Sequence, residues 1–294
     1  MTSRPEPDRS QEPLAQRIRE AFEILRLKHT AQQFEEALAN PAPDLSRLDW
    51  LWSLLEPQVR QRIEARIERR IRESRLPERK TMAEFHFEFQ PKLDKDLVLE
   101  LDTLAFLDKG RNVLLAGWSG TGKSHIAMAL GTSGCVANRR VRYTTSADLL
   151  AILNASRVDN TLNKALKAYT RPELLIIDEV GLEQVEKAEA ARAGLVQKVL
   201  LPRHNDQRST IITSNIPWDG WGSYLGDQLG ANAILDRLIQ RSHVIVIEGP
   251  SWRAHLHEQE LAARQAEKAQ AAPTDDARPR GEEAKPARRK KEKT

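Results

Sequence analysis

At 294 residues the chain is long enough for one domain of ordinary size together with a smaller module and tails, and its lone cysteine, Cys135, excludes an intramolecular disulfide and a Cys-based zinc cluster. Charged residues make up 30% of it and the formal charge is +4, a balance that suits a soluble protein with a polyanionic partner without requiring one. A charged, proline-bearing amino terminus and the lack of any run near the roughly 18 apolar residues of a membrane span argue against secretion and insertion, so a cytoplasmic protein with no membrane partner is expected.

Residues 1–13 are polar and proline-rich and are expected to be disordered. From Leu14 to Leu76 apolar residues recur at helical spacing: Ile18, Phe22 and Leu25, then Phe34, Ala37 and Leu38, then Leu45, Leu48, Leu51 and Leu55, then Val59, Ile63, Ile67 and Ile71. The pattern predicts a small all-α domain over 14–76, of about four helices, broken at Asn40–Pro43 and at Pro57. Its last helix interleaves the isoleucines with Arg60, Arg62, Arg66, Arg69, Arg70, Arg72 and Arg75 against only Glu64, Glu68 and Glu73. Such an excess is what a surface tracking phosphates needs, although a solvated face of Glu–Arg pairs has the same composition.

Residues 77–110 read as a linker in which Phe85, Phe87 and Phe89 alternate, as in an extended segment laid against the next domain. Over 111–257 strands and helices alternate: strands at 112–116, 140–144, 173–178, 209–214 and 243–247, with helices at 123–137, between 146 and 169, at 188–202 and at 231–240. This order predicts a parallel sheet with helices on both faces and a ligand site beyond the carboxyl ends of the strands. Residues 258–294 read as a basic, largely disordered tail.

The stretch Gly117, Trp118, Ser119, Gly120, Thr121, Gly122, Lys123, Ser124 fits the phosphate-binding pattern G-x-x-x-x-G-K-[ST] between a predicted strand and a predicted helix. Glycines let successive backbone N–H groups point into a phosphate, Lys123 carries charge to the β and γ phosphates of a nucleoside triphosphate such as ATP, and the Ser124 hydroxyl can ligate Mg²⁺. The aliphatic run Leu174–Ile177 then delivers Asp178, which can hold Mg²⁺, and Glu179, which can orient or deprotonate water. The strand S-T-I-I-T-S ends at Asn215, whose amide can reach a γ-phosphate or a lytic water, or merely start the turn before Pro217. Arg237 lies on an amphipathic helix and by itself is no different from a surface arginine.

Taken in order, G-W-S-G-T-G-K-S-H, L-L-I-I-D-E-V-G, S-T-I-I-T-S-N, W-G followed by G-D, A-I-L-D-R-L and S-W-R resemble the IstB-type helper ATPases of insertion sequences, relatives of the DnaC-type helicase loaders within the AAA+ ATPases. The resemblance implies an AAA+ P-loop NTPase fold, with the strand ending at Asn215 beside the strand feeding the phosphate loop. It makes Asn215 a sensor of the γ-phosphate, Arg237 an arginine finger reaching a neighbouring copy in a homo-oligomer, and Arg253 a second sensor. It further implies an ATPase that assembles on duplex DNA and assists a transposase. The alternatives are a helicase loader in DNA replication and, from another class, a small-molecule phosphotransferase. Trp118 and Ser119 stand where relatives commonly carry prolines, Ser124 replaces a commoner threonine, and Glu179 replaces a second aspartate. With about 47 residues after Ile247, the helical lid is expected to be reduced or absent.

Overall fold

The computed structural model describes residues 13–39, 46–181 and 192–271, which fall into two compact units divided between Ser251 and Trp252. The predicted apolar runs form β1 (Asn112–Gly117), β2 (Val141–Thr145), β3 (Leu174–Val180), β4 (Ser209–Ser214) and β5 (Ser242–Ile247), all parallel in the order β2-β3-β4-β1-β5. Because side chains alternate across a strand, Val113, Leu115, Leu174, Ile176 and Ile211 enter one core while Leu114, Leu175, Ile177 and Ile212 enter the other. Both faces of the sheet are therefore covered. On the edge strand β5, Ile245 and Ile247 are buried while Val244 and Val246 are exposed.

Helices α1 (Leu14–Ile24), α2 (Lys28–Ala39) and α3 (Arg47–Ser74) form the amino-terminal part. The expected break at Pro57 is absent, for α3 runs straight through it. The carbonyl of Ser53, which loses its helical donor, belongs to an exposed residue and is open to water, while buried Leu54 and Gln58 hold the helix on either side of the proline. The His29 N–H donates to Gln58 Oε1 at 3.2 Å, tying α2 to that turn. The other expected break, Asn40–Pro43, lies outside the described residues. The far half of α3 packs on the sheet unit, where Ile71 and Leu76 join the core and Arg70 Nε donates to Asn138 Oδ1 at 3.1 Å.

The segment 77–110 departs from an extended linker. Two 3₁₀ turns, Met82–Glu84 and Phe87–Phe89, are followed by α4 (Lys95–Asp102) and α5 (Ala105–Asp108). A capping box closes the first turn, with the Thr81 N–H donating to Glu84 Oε2 at 2.8 Å, and local bonds such as Phe85 N–H to Met82 O satisfy the backbone in place of a sheet ladder. The aromatic alternation still reports contact with the core, against which Phe85 and Phe87 pack.

The sheet is covered by α6 (Lys123–Val136), α7 (Ser146–Val158), α8 (Leu162–Thr170), α9 (Arg192–Asn205), α10 (Trp221–Leu225) and α11 (Gln228–Ile239). Among the described residues β5 is followed by a single helix, α12 (Trp252–Ala271), which belongs to the second unit. It runs to Ala271, into the stretch 258–294 expected to be largely disordered, because Ala, Glu, Gln, Lys and Arg favour a helix. No helix among the described residues is long and apolar enough to cross a membrane.

Candidate nucleotide-binding site

The loop at the end of β1 turns through left-handed backbone at Gly120 (φ +83°) and Gly122 (φ +102°) before α6 begins at Lys123. A Cβ on Gly122 would lie 2.6 Å from Cε2 of Phe85, so the glycine is required by both conformation and space. Thr121 Oγ1 donates to the Trp118 carbonyl at 2.9 Å and closes the turn. Lys123 is only 4% exposed, and its Nζ donates to the carbonyls of Gly117 and Trp118, each at 2.8 Å, so the ammonium is held inside the loop. Trp118, by contrast, is 79% exposed.

Across the loop, Asp178 is buried at the end of β3, beside β4. Its Oδ1 accepts from Ser124 Oγ at 2.9 Å and from Thr213 Oγ1, and its Oδ2 accepts from the Tyr143 hydroxyl at 2.7 Å. Burial, reinforced by the Asp178 partner, pushes the Tyr143 phenol far above its ordinary range, so it stays protonated as a donor. Glu179 follows with φ +63° in an irregularity of the β3–β4 ladder, and its N–H donates to Thr213 Oγ1 at 2.9 Å. Half-buried Asn215 leaves β4 with its N–H bonded to the Val180 carbonyl at 3.1 Å.

The sequence model of IstB-like ATP binding proteins matches residues 21–261. The chain belongs to this family. It is 35% identical over 230 residues to a Pseudomonas aeruginosa protein named for ATP binding in insertion sequence IS21, covering 78% of this chain and 85% of the relative. It is 32% identical over 243 residues to the corresponding IS232 protein of Bacillus thuringiensis subsp. berliner, covering 82% and 96%. The solved structure of a DNA replication initiation factor superposes with a TM-score of 0.50 at 17% identity, over 64% of this chain and 55% of that one. The fold of this IstB-like chain is the AAA+ P-loop arrangement, in which β4 lies between β3 and β1.

In the IstB-like chain, Gly117–Ser124, Asp178, Glu179 and Asn215 thus gather at the carboxyl ends of β1, β3 and β4. Arg237 does not join them: it is exposed on α11 beside a small pocket with Gln197 and His204, and among the described residues no hydrogen bond or ion pair links it to the loop. Arg253 is exposed on α12, in the second unit. Three contributors escaped the sequence reading. Tyr143 and Thr213 hold Asp178 from neighbouring strands, and Phe85 supports the loop, its ring 5.5 Å from that of His125, whose Nε2 lies 3.0 Å from the Thr81 carbonyl. The adjoining motif marks the strand that carries Thr213, but no local signal distinguishes Tyr143 or Phe85 from ordinary strand and core residues.

The donor set suits Mg²⁺ with a triphosphate. Ser124 Oγ and Asp178 Oδ1 are hard oxygen donors already in contact, and the described residues contain no group of three His, Cys, Asp or Glu side chains that would form an all-protein cage. Magnesium characteristically uses one or two protein oxygens, water and substrate phosphates.

Proposed function

We propose that this IstB-like protein hydrolyses ATP with Mg²⁺, assembles as a homo-oligomer on duplex DNA, and assists the transposase of an insertion sequence. The observation carrying the enzymatic part is the gathering of Lys123, Ser124, Asp178 and Glu179 at the carboxyl ends of β1 and β3, the strands that flank β4, with Ser124 Oγ donating to Asp178 Oδ1 at 2.9 Å. Lys123 exchanges its loop carbonyls for phosphate oxygens, while Ser124 and Asp178 hold Mg²⁺. The metal, when bound, neutralises charge developing on the transferred phosphoryl group. Glu179 orients and deprotonates the attacking water, and Asn215 donates to the γ-phosphate or to that water. The exposed Arg237 serves a neighbouring copy as an arginine finger, since its guanidinium suits a phosphoryl group and its own loop is not its partner.

The DNA part rests on α3. Arg60 is engaged by Glu56, and Arg70 by Asn138 and Glu73, but Arg69 and Arg72 stand exposed on the same continuous helix, a charge pattern suited to phosphates. The transposase is supported by the relatives, which are named for insertion sequences. Purified wild-type, Lys123→Ala and Arg237→Ala proteins test the proposal by ATP turnover and sizing, each with and without duplex DNA. Wild type should show Mg²⁺-dependent turnover stimulated by DNA, Lys123→Ala should lose nucleotide binding and turnover, and Arg237→Ala should bind nucleotide but lose the stimulation. A Lys123→Ala protein that still hydrolyses and assembles would refute the mechanism. Monomeric turnover indifferent to DNA and to Arg237→Ala would indicate a phosphotransferase instead.

A further inference from the structure

β3 and β4 stay in step from Leu174 opposite Ser209 to Ile177 opposite Ile212, and then Val180 pairs with Ser214. Two residues of β3, Asp178 and Glu179, therefore face one residue of β4, Thr213. This is a β-bulge at the point where the acidic pair emerges. Regular pleating would send consecutive side chains to opposite faces; at the bulge Glu179 instead takes a left-handed conformation, φ +63°, which a residue with a Cβ disfavours. Something must hold it there.

The Thr213 hydroxyl does so with both of its hydrogen-bonding roles. It accepts the Glu179 N–H at 2.9 Å and donates its own proton to Asp178 Oδ1, the same oxygen that accepts from Ser124. Thr213 is 1% exposed, so water does not readily replace it, and its β-branch restricts the hydroxyl to few rotamers. A valine there keeps the shape and loses both bonds; a serine keeps both bonds and loses one methyl group.

We propose that Thr213 is the positioning residue of the acidic pair, its single hydroxyl aiming Asp178 at Ser124 and fixing the bulge from which Glu179 extends. The inference rests on the reading that Asp178 holds Mg²⁺ and Glu179 serves the attacking water. It names a residue that touches neither nucleotide nor water and acts through the two that do.

The test compares full-length wild type, Thr213→Val and Thr213→Ser in two measurements: calorimetric titration of ADP with and without MgCl₂, and kcat and KM for ATP. For Thr213→Val, Mg²⁺-free ADP affinity should stay within about twofold, because the phosphate loop is untouched. The gain in affinity on adding MgCl₂ should shrink, and kcat should fall roughly 10- to 100-fold, as expected for a misplaced catalytic group. Thr213→Ser should recover kcat to within a few-fold of wild type. A merely structural role would instead lower Mg²⁺-free affinity together with kcat. The proposal is overturned if Thr213→Val keeps wild-type kcat and Mg²⁺ response, or if Thr213→Ser is as impaired as Thr213→Val. Should valine prevent folding, Thr213→Ala replaces it, and equal kcat in the alanine and serine proteins overturns the proposal. A wild type without Mg²⁺-dependent turnover would overturn the underlying reading, which separates the two failures.

Discussion

Replacing Arg203 by methionine perturbs the end of the sheet opposite the phosphate loop. Arg203, on α9, is 1% exposed, and burial, with Arg208 nearby, pushes its guanidinium below the ordinary range. Its Nε donates to Thr210 Oγ1 at 3.0 Å, one Nη to the carbonyls of Tyr169 and Pro172 at 2.9 and 2.8 Å, and the other Nη to those of Glu173 and Ser209. These carbonyls lie just before β3 and at the start of β4, so one side chain ties together the amino ends of two central strands. Methionine fills much of the stem's volume but takes the side-chain donor from the buried Tyr169 carbonyl, the Ser209 carbonyl and the Thr210 hydroxyl, at about 1–3 kcal/mol for each group left unsatisfied. The carbonyls of Pro172 and Glu173 are partly exposed and take water, and relief from burying a charge offsets some of the loss. The net destabilisation should be about 2–4 kcal/mol, a fall in urea midpoint on the order of 1 M. Circular dichroism through a urea series measures it, with ADP affinity of the folded variant as control. Loss of less than about 0.5 kcal/mol would refute the assignment of Arg203 as the donor that satisfies this end of the sheet.

Two further substitutions probe the functional surfaces. Gly122→Ala forces a Cβ into left-handed backbone, unfavourable by about 1–2 kcal/mol, and against the Phe85 ring, so ADP affinity should fall by roughly tenfold or more in titration calorimetry; unchanged affinity would mean that the loop and the Phe85 support are not coupled. Combined Arg69→Ala and Arg72→Ala should weaken duplex binding in fluorescence anisotropy and flatten its log–log salt dependence by about 2, close to one per lost phosphate contact. An unaltered salt slope would remove α3 from the DNA contact.

What was legible in the sequence was local or periodic. The phosphate loop could be read because its chemistry demands particular residue types within eight consecutive positions, Gly117 to Ser124. The strands could be read because a parallel strand covered on both faces must be apolar throughout, as Leu174–Ile177 is. Asp178 followed as the carboxylate at such a strand's end. Periodicity misled where a local rule met tertiary support. Pro57 ends helices in isolation, yet contacts at Leu54 and Gln58 carry α3 past it; alternating phenylalanines mimic a strand, yet Phe87–Phe89 is a 3₁₀ turn packed on the core.

The sequence by itself determined which residues bring nucleotide chemistry, since those requirements are written in neighbouring positions. Only the tertiary structure decided how they are held. Tyr143 and Thr213 each stand 35 residues from Asp178 along the chain, on the strands either side of it, and register alone brings their hydroxyls to its two oxygens. The bulge that sets Glu179 exists because one residue of β4 must answer two of β3, a mismatch in pairing that neither strand's sequence records.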